Sequence, residues 1–354
     1  MDAAFAAFAG RIREAAEAKR PLRIRGGGTK DFYGGEPSGE ILDTRACAGI
    51  MSYEPSELVV TARCGTPLAE LESALAANGQ MLAFEPPHFG PGATLGGCVA
   101  AGLSGPRRAA AGALRDFVLG ACILDGSGRL LRFGGQVMKN VAGYDISRLL
   151  VGSLGTLGVI AEASLKVLPR PQAESTLLIE LPEQRAIATM NRWAGMPLPV
   201  SATAWSGGGL SVRLSGAESA LRAAAHSLGG ERIDPAPAER FWSGIREQTD
   251  SFFAGDAPLW RLSVPPATPP LSLPGPQLIE WNGALRWLKT NAEPAMVRAA
   301  AEQAGGHATL FRASDKSAGV FAPLAPALER LHRELKAAFD PAGILNRGRL
   351  YREL

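Results

Sequence analysis

The chain has 354 residues, nearly half of them apolar, and a formal net charge of +3. A chain of this length is too long to fold around a single small hydrophobic core, so we expect a globular protein of two domains. With so small a charge and no stripe of arginine and aromatic residues, nucleic acid is excluded as an expected partner.

The first twenty residues predict an amphipathic helix rather than a signal peptide. Met1 to Arg20 places Phe5, Phe8 and Ile12 on one helical face, with acidic residues among them. No run of about 18 uncharged apolar residues occurs in the chain. We therefore expect a cytoplasmic protein, which could still dock at the inner face of the plasma membrane through a larger complex.

Short strands and helices alternate in the first half. Leu68, Leu71 and Leu75 recur with helical spacing, which predicts a helix with Thr66 as its N-cap and Pro67 as its first residue. Gly126-Ser127-Gly128 predicts the turn of a hairpin. The predicted strands are Leu22 to Arg25, Glu40 to Asp43, Leu58 to Ala62, Val118 to Asp125, Arg129 to Phe133 and Leu157 to Leu168.

Two glycine clusters follow predicted strands in this half. The first is Arg25-Gly26-Gly27-Gly28-Thr29-Lys30, and the second is Pro91-Gly92-Ala93-Thr94-Leu95-Gly96-Gly97. Glycine lets the backbone approach a ligand closely, and consecutive N–H groups can bind phosphate oxygens. With a third run at Gly152, Gly155 and Gly158, the clusters predict a bound dinucleotide.

The nicotinamide fingerprint is absent. That motif needs G-x-G-x-x-G between a strand and a helix, with an acidic residue about 20 positions later. Gly26-Gly27-Gly28 lacks the third glycine, and no G-x-x-x-x-G-K-[ST] loop is present. A Rossmann nicotinamide site and a P-loop are therefore excluded.

The four cysteines are predicted to be core residues. The chain has widely spaced cysteines at Cys47, Cys64, Cys98 and Cys122. None of them forms a C-x-x-C pair, which is the spacing that iron–sulfur and zinc sites use. If the protein carries electrons, we expect the next carrier on another chain.

The second half contains an ungapped internal match at an offset of 76 residues, with Trp205 opposite Trp281 and Gly207 opposite Gly283. Each copy predicts strand, turn, strand, helix and strand. Two copies together predict an antiparallel sheet with helices on one face, as in ferredoxin-like domains. A chance match in an alanine-rich chain is the alternative.

We expect three parts: an FAD-binding-type first domain at residues 1–170, a second domain at residues 171–322, and a segment at residues 323–354 that returns to the first domain. The boundary near Pro169 to Pro171 follows the last strand of the first half, and Pro265 to Pro276 is a proline-dense connector. Leu328, Leu331 and Leu335 predict a helix within Leu324 to Phe339.

Several of these segments resemble a known family. Arg25 to Lys30, Tyr53 to Ala62, Pro91 to Gly105 and Leu154 to Ile160 are similar to the FAD-binding domain of the vanillyl-alcohol oxidase and p-cresol methylhydroxylase (PCMH) superfamily. Lys139-Asn-Val-Ala-Gly-Tyr-Asp145 resembles its 2-hydroxy-acid dehydrogenase branch. Ala284 to Lys289 and Phe339 to Asn346 look most like the FAD-binding subunits of bacterial glycolate oxidases.

The resemblance implies an α+β fold, with a two-subdomain PCMH-type FAD-binding domain and a ferredoxin-like, antiparallel cap domain. It places both glycine loops against the FAD pyrophosphate and Gly155 to Ile160 along the adenine and ribose. The implied FAD-binding residues are Arg25, Gly26, Gly27, Gly28, Thr29, Lys30, Pro91, Gly92, Ala93, Thr94, Gly96, Gly97, Ala101, Gly102, Ser104, Gly105, Gly155, Thr156, Gly158, Val159, Ile160, Asn346 and Arg349.

Relatives that attach FAD covalently use a histidine in the first loop, where this chain has Thr29. Noncovalent FAD is therefore implied. His88, in the second loop, is interpreted as a surface or capping residue. Relatives that oxidise 2-hydroxy acids often have a histidine-glycine-aspartate-glycine-asparagine motif, of which Gly306 to Arg312 keeps one histidine and no acid. We expect no metal.

Oxidation of a 2-hydroxy acid needs a base for the hydroxyl proton, a hydride path to the flavin and cations for the carboxylate. His307 is the candidate base, and Arg312, Arg286 or Lys289 are candidate carboxylate ligands. A structural role for His307 is the competing interpretation. Relatives usually have proline after the last asparagine, whereas Arg347 follows Asn346 here, which predicts a less rigid turn.

Three functions remain open from the sequence. The first is the FAD-binding subunit of a glycolate oxidase, working with a larger FAD-dependent catalytic subunit and an iron–sulfur subunit that passes electrons to the respiratory chain. The second is a stand-alone FAD-dependent 2-hydroxy-acid dehydrogenase. The third is a redox-silent scaffold built on a flavin fold.

Overall fold

The computed structural model describes residues 3–135 and 144–354. Residues 139–143 of the Lys139 to Asp145 motif therefore lie outside the described residues. The helices are α1 (Ala3–Glu17), α2 (Leu68–Ala76), α3 (Leu95–Ala101), α4 (Arg108–Ala111), α5 (Leu114–Phe117), α6 (Tyr144–Leu149), α7 (Glu183–Ala194), α8 (Glu218–Leu228), α9 (Pro235–Glu247), α10 (Pro294–Gln303) and α11 (Pro326–Phe339).

The strands of the first half are β1 (Leu22–Arg25), β2 (Glu40–Asp43), β3 (Ile50–Glu54), β4 (Val59–Arg63), β5 (Gln80–Met81), β6 (Val118–Leu124), β7 (Leu130–Gly134), β8 (Val159–Lys166) and β9 (Leu168–Pro169). Those of the second half are β10 (Ala173–Glu180), β11 (Val200–Ser206), β12 (Gly209–Gly216), β13 (Glu231–Ile233), β14 (Leu259–Ser263), β15 (Gln277–Glu280), β16 (Leu285–Lys289) and β17 (His307–Arg312).

The first half is built around a five-stranded antiparallel sheet in the order β3-β4-β8-β6-β7. The predicted hairpin is confirmed, since β6 pairs with β7. Leu68, Leu71 and Leu75 of α2 are fully buried against this sheet, beside Leu165 of β8. The helical spacing of these leucines thus explains why α2 forms and which face it buries.

The start of α2 differs from the prediction by one residue. Pro67 precedes the helix, which begins at Leu68. Thr66 does not cap it, because its hydroxyl donates to the carbonyl of Arg63 at 2.6 Å and accepts the N–H of Gly49 at 2.9 Å. Thr66 instead joins the end of β4 to the preceding loop.

A smaller unit carries the first glycine loop. β1 pairs in parallel with β2, and Phe5, Phe8 and Ile12 of α1 are buried against this pair, as the amphipathic pattern predicts. Residues near the C-terminus complete the unit, since Leu345 forms a parallel bridge with Leu22. The end of the chain is thus packed beside its beginning.

The second half forms an eight-stranded antiparallel sheet, the cap sheet, in the order β13-β10-β12-β11-β15-β16-β14-β17. The order is symmetrical about the β11/β15 pair. The internal match falls on corresponding elements: β12, α8 and β13 begin at Gly209, Glu218 and Glu231, and β16, α10 and β17 begin 76 residues later. The symmetry of the sheet supports repetition over chance.

Helices lie on both faces of the cap sheet, which corrects the expectation of one face. α7, α8 and α10 cover one face, in clusters with Trp205 and Leu262. α9 lies on the other face, where Trp242 packs on Ala202 and Ala204. That second face also carries Leu285, Trp287 and Phe311, which pack against Tyr33, Leu103 and Leu154 of the first half.

Candidate functional site

The first glycine loop exposes a run of unpaired backbone amides. Within the described residues, the N–H groups of Gly26 through Lys30 donate no hydrogen bond to another backbone group. The loop turns at Gly28, whose φ of +74° favours glycine. Five adjacent free donors form a site suited to an anion such as a pyrophosphate.

The two glycine loops touch each other backbone to backbone. A Cβ at Gly27 would lie 1.5 Å from the carbonyl oxygen of Gly92, and one at Gly26 would lie 2.4 Å from the hydroxyl of Thr94. These glycines are therefore required by protein packing as well as by ligand approach. Gly97 differs, because its Cβ would meet only the Thr94 hydroxyl, at 3.4 Å.

A cavity with about 790 Å³ of empty space, partly open to solvent, lies between the loops. Of the predicted FAD-binding residues it is lined by Arg25, Gly26, Gly27, Gly28, Thr29, Lys30, Thr94, Gly96, Gly97, Ala101, Gly155, Gly158, Ile160, Asn346 and Arg349. Sequence reasoning missed Arg23, Ile24, Asp31, Pro37, Thr44, Ala100 and Leu154. Alternation along β1 could have indicated Arg23, whereas Pro37 and Thr44 come from loops with no such signal.

Several predicted FAD-binding residues do not line this cavity. Ala93, Thr156 and Val159 are at most 2% exposed, and Thr156 donates its hydroxyl hydrogen to the carbonyl of Ser153. Their side chains therefore occupy core positions that support the loops. Three further residues that do not line it are Pro91, Gly92 and Gly102, while Ser104 and Gly105 line a separate, smaller cavity.

Asn346 and Arg349 reach the loops from the end of the chain. Asn346 accepts the N–H of Ile24 at 2.7 Å and donates to the carbonyl of Leu154 at 2.6 Å. The Arg349 guanidinium donates to the carbonyls of Asp31, Tyr33 and Gly35. Both side chains therefore fix the cavity wall, and Asn346 holds its φ of +43° without a following proline.

The charged groups of the first loop are mostly paired. Asp31 accepts hydrogen bonds from Arg23 at 2.5 Å and Arg25 at 2.9 Å. Lys30 donates to the carbonyl of His88 at 3.2 Å, and burial lowers the pKa of its ammonium. His88 itself contacts Glu72 at 2.9 Å and is only partly buried.

Arg286 is not placed to bind substrate, which corrects the prediction. It is fully buried on the helix-covered face of the cap sheet, beside Ile279 and Leu262 in register. Its guanidinium donates to the carbonyls of Gly283 and Thr268, both at 2.7 Å. Burial lowers the pKa of Arg286 to about 10, which fits a structural role.

The other candidates for catalysis are not brought together. His307 is the first residue of β17, an edge strand, and is largely exposed; partial desolvation of its ring and the nearby charge of Arg261 lower its pKa. Arg312 ends the same strand, where it donates to Gln248 at 3.1 Å and lies over the ring of Phe32. Lys289 is tied to the carbonyl of Ala254.

In residues 3–135 and 144–354, no group of three or more His, Cys, Asp and Glu side chains is arranged to hold a metal ion. No described helix is long and apolar enough to cross a membrane.

Comparison with known proteins decides the family. The chain is 50% identical over 343 residues to the glycolate oxidase subunit GlcE of Escherichia coli strain K12, which covers 97% of this chain and 96% of that protein. This chain belongs to the GlcE family. The model of the FAD binding domain family also matches residues 6–134. FAD is therefore the cofactor, and the chain is an FAD-dependent oxidoreductase.

More distant relatives match about half of this GlcE-family chain. The glycolate oxidase subunit GlcD of Bacillus subtilis strain 168 is 33% identical over 164 residues, 46% of this chain and 35% of that protein. The D-lactate dehydrogenase of Archaeoglobus fulgidus is 34% identical over 174 residues, 48% and 38% of the respective chains.

Solved structures confirm the fold class. An alkyldihydroxyacetonephosphate synthase superposes with a TM-score of 0.66 at 16% identity, covering 98% of this chain and 75% of that one. At this identity the match shows the fold alone: a PCMH-type FAD-binding domain with an antiparallel cap.

The residues of the cavity fit FAD. The free amides of Gly26 to Lys30 suit the two phosphates, and the open side of Gly97 leaves space where a side chain would otherwise lie. Arg23 and Arg25 add positive charge at the same wall. The threonine at position 29 offers no nitrogen for a covalent bond to the flavin.

Proposed function

We propose that this chain is the FAD-carrying subunit of a glycolate oxidase and takes part in the oxidation of glycolate to glyoxylate. The observation that carries the proposal is the 50% identity to a GlcE subunit over 97% of the chain. The proposed FAD-binding residues are those that line the cavity, above all Gly26 to Lys30, Thr94 and Gly97.

We also propose its partners. They are a larger FAD-dependent catalytic subunit and an iron–sulfur subunit that passes electrons to the respiratory chain. The four cysteines of this chain are buried thiols at widely spaced positions, and the described residues hold no group of side chains arranged for a metal, which supports placing the cluster elsewhere. The complex would sit in the cytoplasm, peripherally at the inner face of the plasma membrane.

The division of the chain into residues 1–170, 171–322 and 323–354 is part of the proposal. The cap sheet begins at Ala173 and its last strand ends at Arg312. Asn346 and Leu345 contact β1, which supports a returning C-terminal segment.

Each group of residues has one task in this proposal. Bound FAD supplies a two-electron acceptor. The amides of the first loop bind its pyrophosphate, and the second loop holds the first in place through Gly92. Asn346 joins β1 to Leu154, and Arg349 holds residues 31–35, which follow the first loop. His307 and Arg312 remain the proposed candidates for contact with substrate.

A stand-alone 2-hydroxy-acid dehydrogenase is the second candidate, favoured by the match to D-lactate dehydrogenase over 48% of the chain. Purification separates the two functions. We expect a yellow protein with bound flavin that glycolate does not bleach when the chain is alone but does bleach in the assembled complex. Bleaching of the isolated chain would favour the stand-alone enzyme. A colourless chain would instead favour the redox-silent scaffold.

A further inference from the structure

The segment that leads into the second glycine loop, residues 85–90, has an unfavourable backbone conformation. It contains Glu85, Phe89 and Gly90 at φ values of +50°, +54° and +139°. A positive φ is unfavourable for glutamate and phenylalanine, because their Cβ atoms crowd the backbone. The segment therefore keeps this shape only because the surrounding protein holds it.

A carboxylate from the second half of the chain binds this segment. Oε2 of Glu247, the last residue of α9, accepts the backbone N–H of His88 at 3.0 Å and that of Phe89 at 2.8 Å. Its Oε1 accepts the Nε–H of Arg246 at 2.8 Å. A carboxylate at the C-terminus of a helix lies at the negative end of the helix dipole. Glu247 therefore does not stabilise α9 itself, and what it stabilises is the segment.

The same segment also contacts the first glycine loop. The Lys30 ammonium donates to the carbonyl of His88 at 3.2 Å and lies 5.6 Å from the centre of the Phe89 ring. A Cβ at Gly90 would lie 3.3 Å from the Cγ2 of Thr29. Both Thr29 and Lys30 line the FAD cavity. The segment thus connects the end of α9 to the wall of that cavity.

We propose that Glu247 is a positioning residue for FAD binding, which acts on the first glycine loop through residues 88–90. Without its carboxylate, the amides of His88 and Phe89 lose a charged acceptor, and the segment relaxes from its positive φ. The Lys30 ammonium then loses its fixed partner beside the proposed pyrophosphate site. This assignment deepens the proposed function and rests on it, and it makes full FAD affinity depend on a helix of the cap sheet.

The test is a fluorescence titration of the full-length apoprotein with FAD. We expect Glu247→Ala to bind FAD about tenfold more weakly than the wild type, in keeping with the loss of two hydrogen bonds to a charged acceptor. Glu247→Gln keeps an oxygen that accepts an amide N–H but loses the charge, so an intermediate loss is expected. This variant serves if Glu247→Ala fails to fold. In the apoprotein, hydrogen exchange at the amides of residues 88–90 should be faster in Glu247→Ala than in the wild type.

A double-mutant cycle with Lys30→Met separates positioning from a general structural role. If Glu247 acts on FAD through the segment and Lys30, the two losses of affinity overlap, and the double variant binds FAD about as weakly as the weaker single variant. Losses that multiply in the double variant would show that the two residues act independently and would overturn the inference.

Glu239→Ala is the matched control, because Glu239 is an exposed glutamate on the same helix, α9. Its FAD affinity should equal that of the wild type. Wild-type FAD affinity in folded Glu247→Ala would overturn the inference and leave the proposed function intact. A wild-type chain that binds no FAD would overturn both.

Discussion

At Gly97, a side chain would occupy the FAD cavity without disturbing the packing of the protein. Its missing side chain faces the cavity, and only the Thr94 hydroxyl lies within 4 Å of a Cβ placed there. Gly27 allows no such separation, because any side chain at that position collides with the backbone of Gly92.

We therefore predict that Gly97→Val folds normally but binds FAD at least about tenfold more weakly, since the added methyl groups occupy cofactor space. Flavin content and a fluorescence titration of the apoprotein measure this. Gly195→Val is the control, because a Cβ there meets only the Arg192 carbonyl, at 3.6 Å, and lies outside the cavity lining. Normal FAD affinity in folded Gly97→Val would contradict the assignment.

Glu280 gives the protein a pH-dependent stability. Because burial raises the pKa of its carboxyl to about 7, above the value of an exposed glutamate, the folded state binds more protons than the unfolded state between about pH 4.5 and 7. The contribution of Glu280 to stability is thus greatest at acid pH and falls as the pH rises to 7.

We predict that Glu280→Gln removes this decline and makes the chain more stable above pH 7, by about 1–3 kcal/mol. The glutamine oxygen can still accept the indole N–H of Trp287, now 2.7 Å from the carboxylate. Urea unfolding of both proteins between pH 5 and 8 measures the difference. Parallel pH profiles would show that Glu280 titrates normally.

The sequence does not show which face of a sheet a strand residue occupies. Arg286 and Arg261 are both arginines on strands, and only the strand register puts one on the helix-covered face and the other on the opposite face. A shift of one residue in the pairing of either strand would move its arginine to the other face of the sheet. The glycine loops were predictable because local backbone chemistry, rather than register, determines them.

At the scale of elements, the two copies of the repeat have the same order but use their tryptophans differently. Trp205 donates its indole N–H to the carbonyl of Leu181, within the cap sheet and its helices. Trp281 donates to Gly105, in the first half of the chain. The second copy thus contributes a contact between halves that the first copy lacks.

We predict that Trp281→Phe and Trp205→Phe each lose about 1–3 kcal/mol of stability, because each leaves a carbonyl without its donor. Only Trp281→Phe should speed hydrogen exchange of residues 103–108, which mass spectrometry measures. Equal exchange there in the two variants would mean that Trp281 does not hold the two halves together.

Most elements were predictable because their signals are local. Glycine-bounded strands such as β1 and β2 and the hairpin β6–β7 match their predicted positions. The start of α2 was wrong because Thr66 has a tertiary partner in Gly49. The position of α9 was not predictable, since its Trp242 packs on strands far away in sequence.

At the scale of the whole molecule, all four cysteines are buried thiols. Burial raises the pKa of the Cys98 thiol to about 12 and that of Cys122 to about 11. Thiolate is the reactive form, so both burial and the raised pKa protect these groups.

We predict that a thiol reagent at pH 8 modifies none of the four cysteines in the native protein and all four in urea. The rate of labelling at low urea should follow global unfolding, because exposure requires opening of the core. Counting modified thiols by mass spectrometry tests this. Rapid labelling of one cysteine without urea would reveal a local opening.

The contact between Asn346 and Ile24 has a consequence for the order of events in the cell. These residues are 322 positions apart, and their hydrogen bond helps fix the wall of the FAD cavity. During synthesis, both glycine loops leave the ribosome well before Asn346 does. FAD can therefore be held at full strength only after Asn346 has been synthesised, and a chain that stops before it would release the cofactor although every glycine of the two loops is present.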